Sequence, residues 1–123
     1  MKRDMDLIRD ILLRVEASDE ALPHPKTLMP PDCSHDKFAY HVSLLRDAGF
    51  LEARVERTDA GPFAPTIIFG LTWQGHEFLD AARDDTLWRR AKDKFIKPAG
   101  SWTAGILIEW LKVEIRSHIA SLQ

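Results

Sequence analysis

An α+β, mostly helical fold is predicted by three features of the central stretch from Ser34 to Trp73. Apolar positions recur at helical spacing through Phe38, His41, Val42, Leu45 and Ala48, with Ser34 as an N-cap ahead of them and Gly49 where the helix must stop. Leu51, Ala53 and Val55 then alternate with Glu52, Arg54 and Glu56, the period of a strand with one wet face. Ile67, Phe69 and Leu71 alternate in a returning strand, and Gly61, Pro62 and Pro65 break both patterns between the two. Helix, glycine stop, strand, turn-rich tip and second strand make the second half of a winged-helix unit. The expectation is therefore a winged-helix-like domain with a two-stranded wing at about 51–72 and extra C-terminal helices. The whole chain, 1–123, is expected to be one such domain, with a core over 1–97 and a last helix at about 103–121.

The other elements follow in chain order. Residues 2–17 read as a helix in which Met5, Ile8, Leu12 and Val15 form an apolar line widened by Leu7 and Ile11, with charged residues opposite. Residues 18–33 carry Pro23, Pro25, Pro30 and Pro31, which exclude a long helix. Lys26 to Met29 reads as either a short edge strand or a single helical turn, so the middle helix of a helix-turn-helix is not legible. After the wing, Thr72 caps a helix through GHEFLDAAR, with Phe78, Leu79 and Ala82 inward. Asp84-Asp85-Thr86 breaks it and caps LWRRAKDKF, where Leu87, Trp88, Ala91 and Phe95 turn inward and Lys97-Pro98-Ala99-Gly100 ends the segment. In the last helix, Ile106, Leu107, Ile108, Trp110, Leu111, Val113, Ile115, Ile119 and Leu122 cover most of the circumference, leaving Glu109, Lys112 and Arg116 as the wet edge. So wide an apolar surface predicts burial on two sides, one against a second copy, with Trp110, Leu111, Ile115 and Ile119 at the seam of a homodimer.

Composition bounds the partners. The chain has 123 residues, 45% hydrophobic and 29% charged, with 17 basic against 19 acidic residues for a net charge of −2. Such a balance gives no support for strong non-specific attraction to nucleic acid or anionic membrane. The single Cys33 admits no intramolecular disulfide, the opening MKRDMDLIRD is charged where a signal peptide needs an apolar run, and no stretch is long enough to span a membrane. A soluble cytoplasmic protein without a membrane partner is expected.

At MKRDMDLIRDILL, YHVSLLRDAGFLEA, LTWQGHEFLDAARDDTLW and the Lys-rich helix that follows, the chain resembles a family of small uncharacterised bacterial and prophage proteins, domain of unknown function 2513. The resemblance spans nearly the whole chain, and its motifs are specific when taken together. It implies a winged-helix-like fold and no established activity, so no functional residue is carried over. More distantly, YHVSLLRDAGFLEA, the wing and LTWQGHEFL look like bacterial winged-helix repressors, in which a helix ending in a leucine-rich "aG" block precedes a hairpin and an "LT..G" turn. The chain departs from that pattern in the proline-rich segment before Ser34.

Two functions compete on these residues. In a DNA-binding prophage or transcriptional regulator, helix 34–48 would be the recognition helix, with Lys37 and Arg46 meeting phosphate or guanine and Tyr40 and Ser43 reaching backbone oxygens. Arg54 and Arg57 on the wing would meet phosphate or the minor groove. Against this, residues 34–76 hold four basic side chains and five acidic ones, whereas phosphate contacts normally supply most of the binding energy. The alternative is a DNA-silent winged-helix module that docks onto another protein. The basic segment 89–97 is a second electrostatic footprint, and equally an ordinary solvated helix face. Catalysis has no visible apparatus: the carboxylates are dispersed, no Gly-rich phosphate loop exists, and Cys33 has only His35 near it in sequence. No enzyme, cofactor or metal is expected, since one Cys-x-His pair lacks the second pair that zinc needs. His41 and His76 read as packing histidines, and Trp73, Trp88, Trp102 and Trp110 as core or dimer-interface residues.

Overall fold

The computed structural model describes residues 1–56, 66–96 and 104–121. The wing tip with Arg57, Gly61, Pro62 and Pro65, the Lys97–Gly100 stop, Trp102 and Leu122 lie outside the described residues, as does the side chain of Ile119. The fold is α+β and mostly helical, with one two-stranded antiparallel sheet. Its elements are α1 (Met5–Ala17), α2 (Pro25–Leu28), α3 (His35–Asp47), β1 (Leu51–Val55), β2 (Thr66–Leu71), α4 (Trp73–Ala82), α5 (Asp85–Ala91), a π-helical turn (Lys92–Ile96) and α6 (Ala104–Ser121). The chain divides into two compact units, Met1–His76 and Glu77–Gln123.

In the first unit, α1 starts three residues later than its sequence suggests. Asp4 is its N-cap, and the Asp4 carboxylate accepts the Leu7 N–H at 3.2 Å, leaving Lys2 and Arg3 outside the helix. The inner stripe is the expected one, with Met5, Leu7, Ile8, Ile11, Leu12 and Val15 buried. On the wet side, Asp10 and Arg14 pair at 3.0 Å, one turn apart. Of the two readings left open for 26–29, the structure takes the helical turn. His24 caps it through its ring, Pro25 occupies the first helical position where its missing N–H costs nothing, and Leu28 is buried.

Ser34 caps α3 by accepting the Lys37 N–H at 3.2 Å, and Phe38, His41, Val42 and Leu45 form its buried line. Ala48, expected on that line, is exposed instead, because it is the C-cap and the helix has already begun to unwind there. Gly49, at φ +81°, donates to Arg46 O at 3.0 Å while Phe50 N donates to Leu45 O at 2.9 Å. This bond pair is a Schellman stop, which needs the left-handed residue that glycine supplies without strain.

The hairpin corrects the expected phase of β2. Leu51 pairs with Leu71 and Glu52 with Gly70, but Ala53 pairs with Ile68, so Phe69 is an extra residue on its strand. That bulge moves the inward position by one. Ile68 is buried, while Ile67 and Phe69, expected on the inner side with Leu71, are exposed. At the start of α4, the Thr72 hydroxyl donates to Gly49 O and accepts the Gly75 N–H at 3.0 Å. A Cβ on Gly75 would lie 2.1 Å from Phe50 O, so only glycine allows the helix to begin this close to the backbone leaving α3.

In the second unit, Phe78, Leu79 and Ala82 are buried as expected, joined by Ala81. Asp84 caps α5 by accepting the Leu87 N–H at 2.9 Å. Trp88 and Ala91 are buried, Leu87 and Phe95 half-buried, and the Trp88 ring meets Phe78 edge-on with centroids 6.4 Å apart. The α5 helix packs on α6, whose Leu107 and Leu111 are fully buried.

Candidate functional site

The outward surface of α3 is where recognition residues were expected, and the structure places them as follows. Lys37 is half-buried and its ammonium lies 3.3 Å from the Asp4 carboxylate at the start of α1. Arg46 is exposed and pairs with its neighbour Asp47 at 3.2 Å. Tyr40 is half-buried and sits edge-on to the His41 ring at 5.5 Å. Ser43 is half-buried. Arg54 is exposed on β1, opposite Ile67 across the ladder and between the exposed Glu52 and Glu56. Arg57 lies outside the described residues. Each basic side chain of α3 thus already faces a carboxylate, and the whole unit 1–76 carries nine basic against twelve acidic residues, a net −3.

Asp4, which the sequence did not mark, organises one end of this surface. Its carboxylate caps α1 and binds Lys37, and its backbone N–H donates to His41 Nε2 at 2.8 Å. An accepting Nε2 leaves the proton on Nδ1, which donates to the Lys37 carbonyl at 2.8 Å. His41 is fully buried and both ring nitrogens are satisfied, so it fastens the start of α1 to α3 as a packing histidine. His76, the other expected packing histidine, is exposed.

The apolar side chains left outside are also informative. Trp73 is 81% exposed at the start of α4, against the core half of the expected core or dimer-interface role, because the first turn is anchored by Gly75 and Thr72 and its first side chain points to solvent. Phe69 is 48% and Ile67 39% exposed on the hairpin. For Ile67 and Phe69 the sequence signal was Gly70 inside the strand, since an interior glycine often marks a bulge.

On α6 the expected seam residues separate. Leu111 is 0% exposed, buried within its own chain, so the expectation that it meets a second copy is corrected. Trp110 is half-buried: Phe95 meets it edge-on at 5.6 Å, and Arg90 and Lys94 lie 5.8 and 5.6 Å from its ring centre. Arg90 also pairs with Glu114 at 3.2 Å. Ile115 is half-buried in the wall of a cavity of about 550 Å³ that Asp80, Arg83, Asp84, Thr86, Leu87 and Arg90 complete. Ile119 is outside the described side chains. Among the described side chains of α6, the large apolar ones left exposed are Ile106 and Val113, two turns apart.

Other chemistry is sparse. Burial pushes the Cys33 thiol up, with Asp4 and Asp10 adding to the rise and Lys37 opposing it, the reverse of what activates a cysteine nucleophile. Among the described residues, no group of three or more His, Cys, Asp or Glu is placed to hold a metal ion, and no helix is long and apolar enough to cross a membrane.

A Haemophilus influenzae protein described as "Uncharacterized protein" is 40% identical over 95 residues, covering 75% of this chain and 76% of its own length. No solved structure matches the chain. The family described as Hypothetical protein (DUF2513) matches residues 2–101, and the chain belongs to it.

Proposed function

From membership of this family and the charge arrangement on α3, we propose that the protein is a winged-helix interaction module that docks onto another protein rather than reading DNA. The observation that carries this reading is the neutralisation of α3: Lys37 is held by Asp4 and Arg46 by Asp47, within a unit of net −3. A duplex would have to displace two carboxylates to gain two phosphate contacts, whereas tight DNA binders make about 6–10 such contacts. The winged-helix assignment rests on the order α1–α2–α3–hairpin–α4 and on the single-turn α2, which supplies the middle helix that the prolines obscure. Exposed Ile67, Phe69 and Trp73 suit a protein partner, since aromatic side chains anchor such interfaces.

Selection of bound fragments from a genomic DNA pool at low salt tests the reading. The expected outcome is recovery no better than from beads without protein. Enrichment of any sequence would replace this function with the DNA-binding one, for which the helix order and the exposed Arg54 are the supporting observations.

Self-association through α6 is a separate part of the proposal, now centred on Ile106 and Val113. Sedimentation at micromolar concentration should then show a dimer that Val113→Glu converts to monomer. A parent chain that sediments as monomer would remove the pairing.

A further inference from the structure

We infer that the cationic face built by α5, the π-helical turn and α6 around Trp110 takes an acidic segment of a protein partner, with a partner carboxylate on Lys94. The inference rests on the protein-docking reading and names the chemistry of the partner. Charge changes sign along the chain at α5. Residues 1–85 hold ten basic and sixteen acidic side chains, a net −6, whereas residues 86–123 hold seven basic and three acidic, a net +4. Such an asymmetry marks the second stretch as the one that attracts anions. On α3 the basic side chains face carboxylates, and here the arrangement is the opposite. Among the described residues, Arg90 pairs with Glu114 at 3.2 Å, while no carboxylate pairs with Arg89, Lys94, Lys112 or Arg116.

Lys94 stands at the centre of this face. Its ammonium lies 5.6 Å from the centre of the Trp110 ring and 5.7 Å from that of Phe95. The rings attract the ammonium but carry no net charge, so it keeps both its charge and its N–H donors for an incoming carboxylate. Held in place in this way, the lysine loses less side-chain freedom when an ion pair forms. Phe95 and Trp110 are themselves half-buried and leave part of their rings for an apolar side chain of the same segment. The contacts also choose between anions. A nucleobase stacks on the face of an aromatic ring, but Arg90 and Lys94 already lie over Trp110. A base would have to displace them, whereas a carboxylate needs only to approach the exposed Lys94 from solvent. Tight duplex binding would also need about 6–10 phosphate contacts, and a short acidic segment needs only a few ion pairs.

The test is selection of binders from a displayed library of random twelve-residue peptides on the full chain, followed by synthesis of the best peptide. Expected are peptides with several Asp or Glu beside an aromatic or aliphatic residue. Lys94→Glu should weaken binding about fivefold to tenfold at low salt, and the side chain is exposed, so the fold tolerates the change. Arg54→Glu reverses another exposed charge, in the first unit, and should change binding little. On adding the peptide, the indole N–H signal of Trp110 should move and that of Trp73 should stay. Failure to select acidic peptides, equal losses in the two variants, or an indole shift at Trp73 instead of Trp110 would overturn the inference. So would a twelve-residue oligothymidylate that binds as tightly as the peptide and loses as much with Lys94→Glu, since the partner would then be a nucleic acid. The docking reading fails on a different result, capture of duplex fragments by the parent chain, so the two failures are distinguishable.

Discussion

Replacing Phe78 by alanine is expected to lower stability by about 3–5 kcal/mol, the range for deleting a buried aromatic ring. Phe78 is fully buried on α4 and its ring meets Trp88 of α5 edge-on. The substitution removes both the apolar burial and the aromatic contact, and it leaves a void that Leu79 and Ala82, on the same helix, cannot fill without shifting α4. Since small proteins have about 5–15 kcal/mol in total, most of the stability should go. Urea unfolding followed by tryptophan fluorescence reads the loss, because Trp88 is beside the deleted ring. A midpoint equal to that of the parent would mean that the inward phase of α4 is misassigned.

Leu45→Ala should cost about 2–5 kcal/mol. Leu45 is almost fully buried on α3, and its carbonyl also accepts the Phe50 N–H that closes the helix. Alanine keeps the backbone bond, so the loss reports packing alone. The spread in the expected value reflects how far the site can collapse, and α3 lies against both α1 and β1. A thermal midpoint unchanged from the parent would contradict the burial of this face.

Much of this was legible from residue pattern. The stripe of α1, the Ser34 cap, the Gly49 stop and the strand phase of β1 all follow from periodicity and capping chemistry acting over a few residues. What escaped depends on information that local spacing does not hold. The phase of β2 turned on one inserted residue, Phe69, and a single extra residue flips every later side chain to the other face. The α2 turn is four residues long and flanked by prolines, too short for any periodicity, and its cap is a histidine ring rather than one of the usual oxygens. Leu111 looked available because its helix is apolar nearly all round, and which apolar side chains the fold itself covers is a tertiary fact.

The candidate surface divides the same way. Lys37, Tyr40, Ser43 and Arg46 could be placed on the outer side of α3 from helical spacing alone. That Lys37 faces a carboxylate 33 residues earlier in the chain could not, because the contact exists only once α1 and α3 are packed. Arg46 and Asp47 are adjacent in sequence, so their pairing was open to inspection. The acidic balance of the region had already made phosphate binding poorly supported, and the ion pairs give that balance a geometry.

The most direct test of the docking function is a titration of the full chain into a labelled DNA duplex at several salt concentrations, read by fluorescence anisotropy. With Lys37 and Arg46 held by carboxylates, no saturable binding is expected at micromolar protein even at low salt. Saturable binding whose affinity falls steeply with salt, at a slope equivalent to about six or more phosphate contacts, would contradict it and identify the protein as a DNA binder.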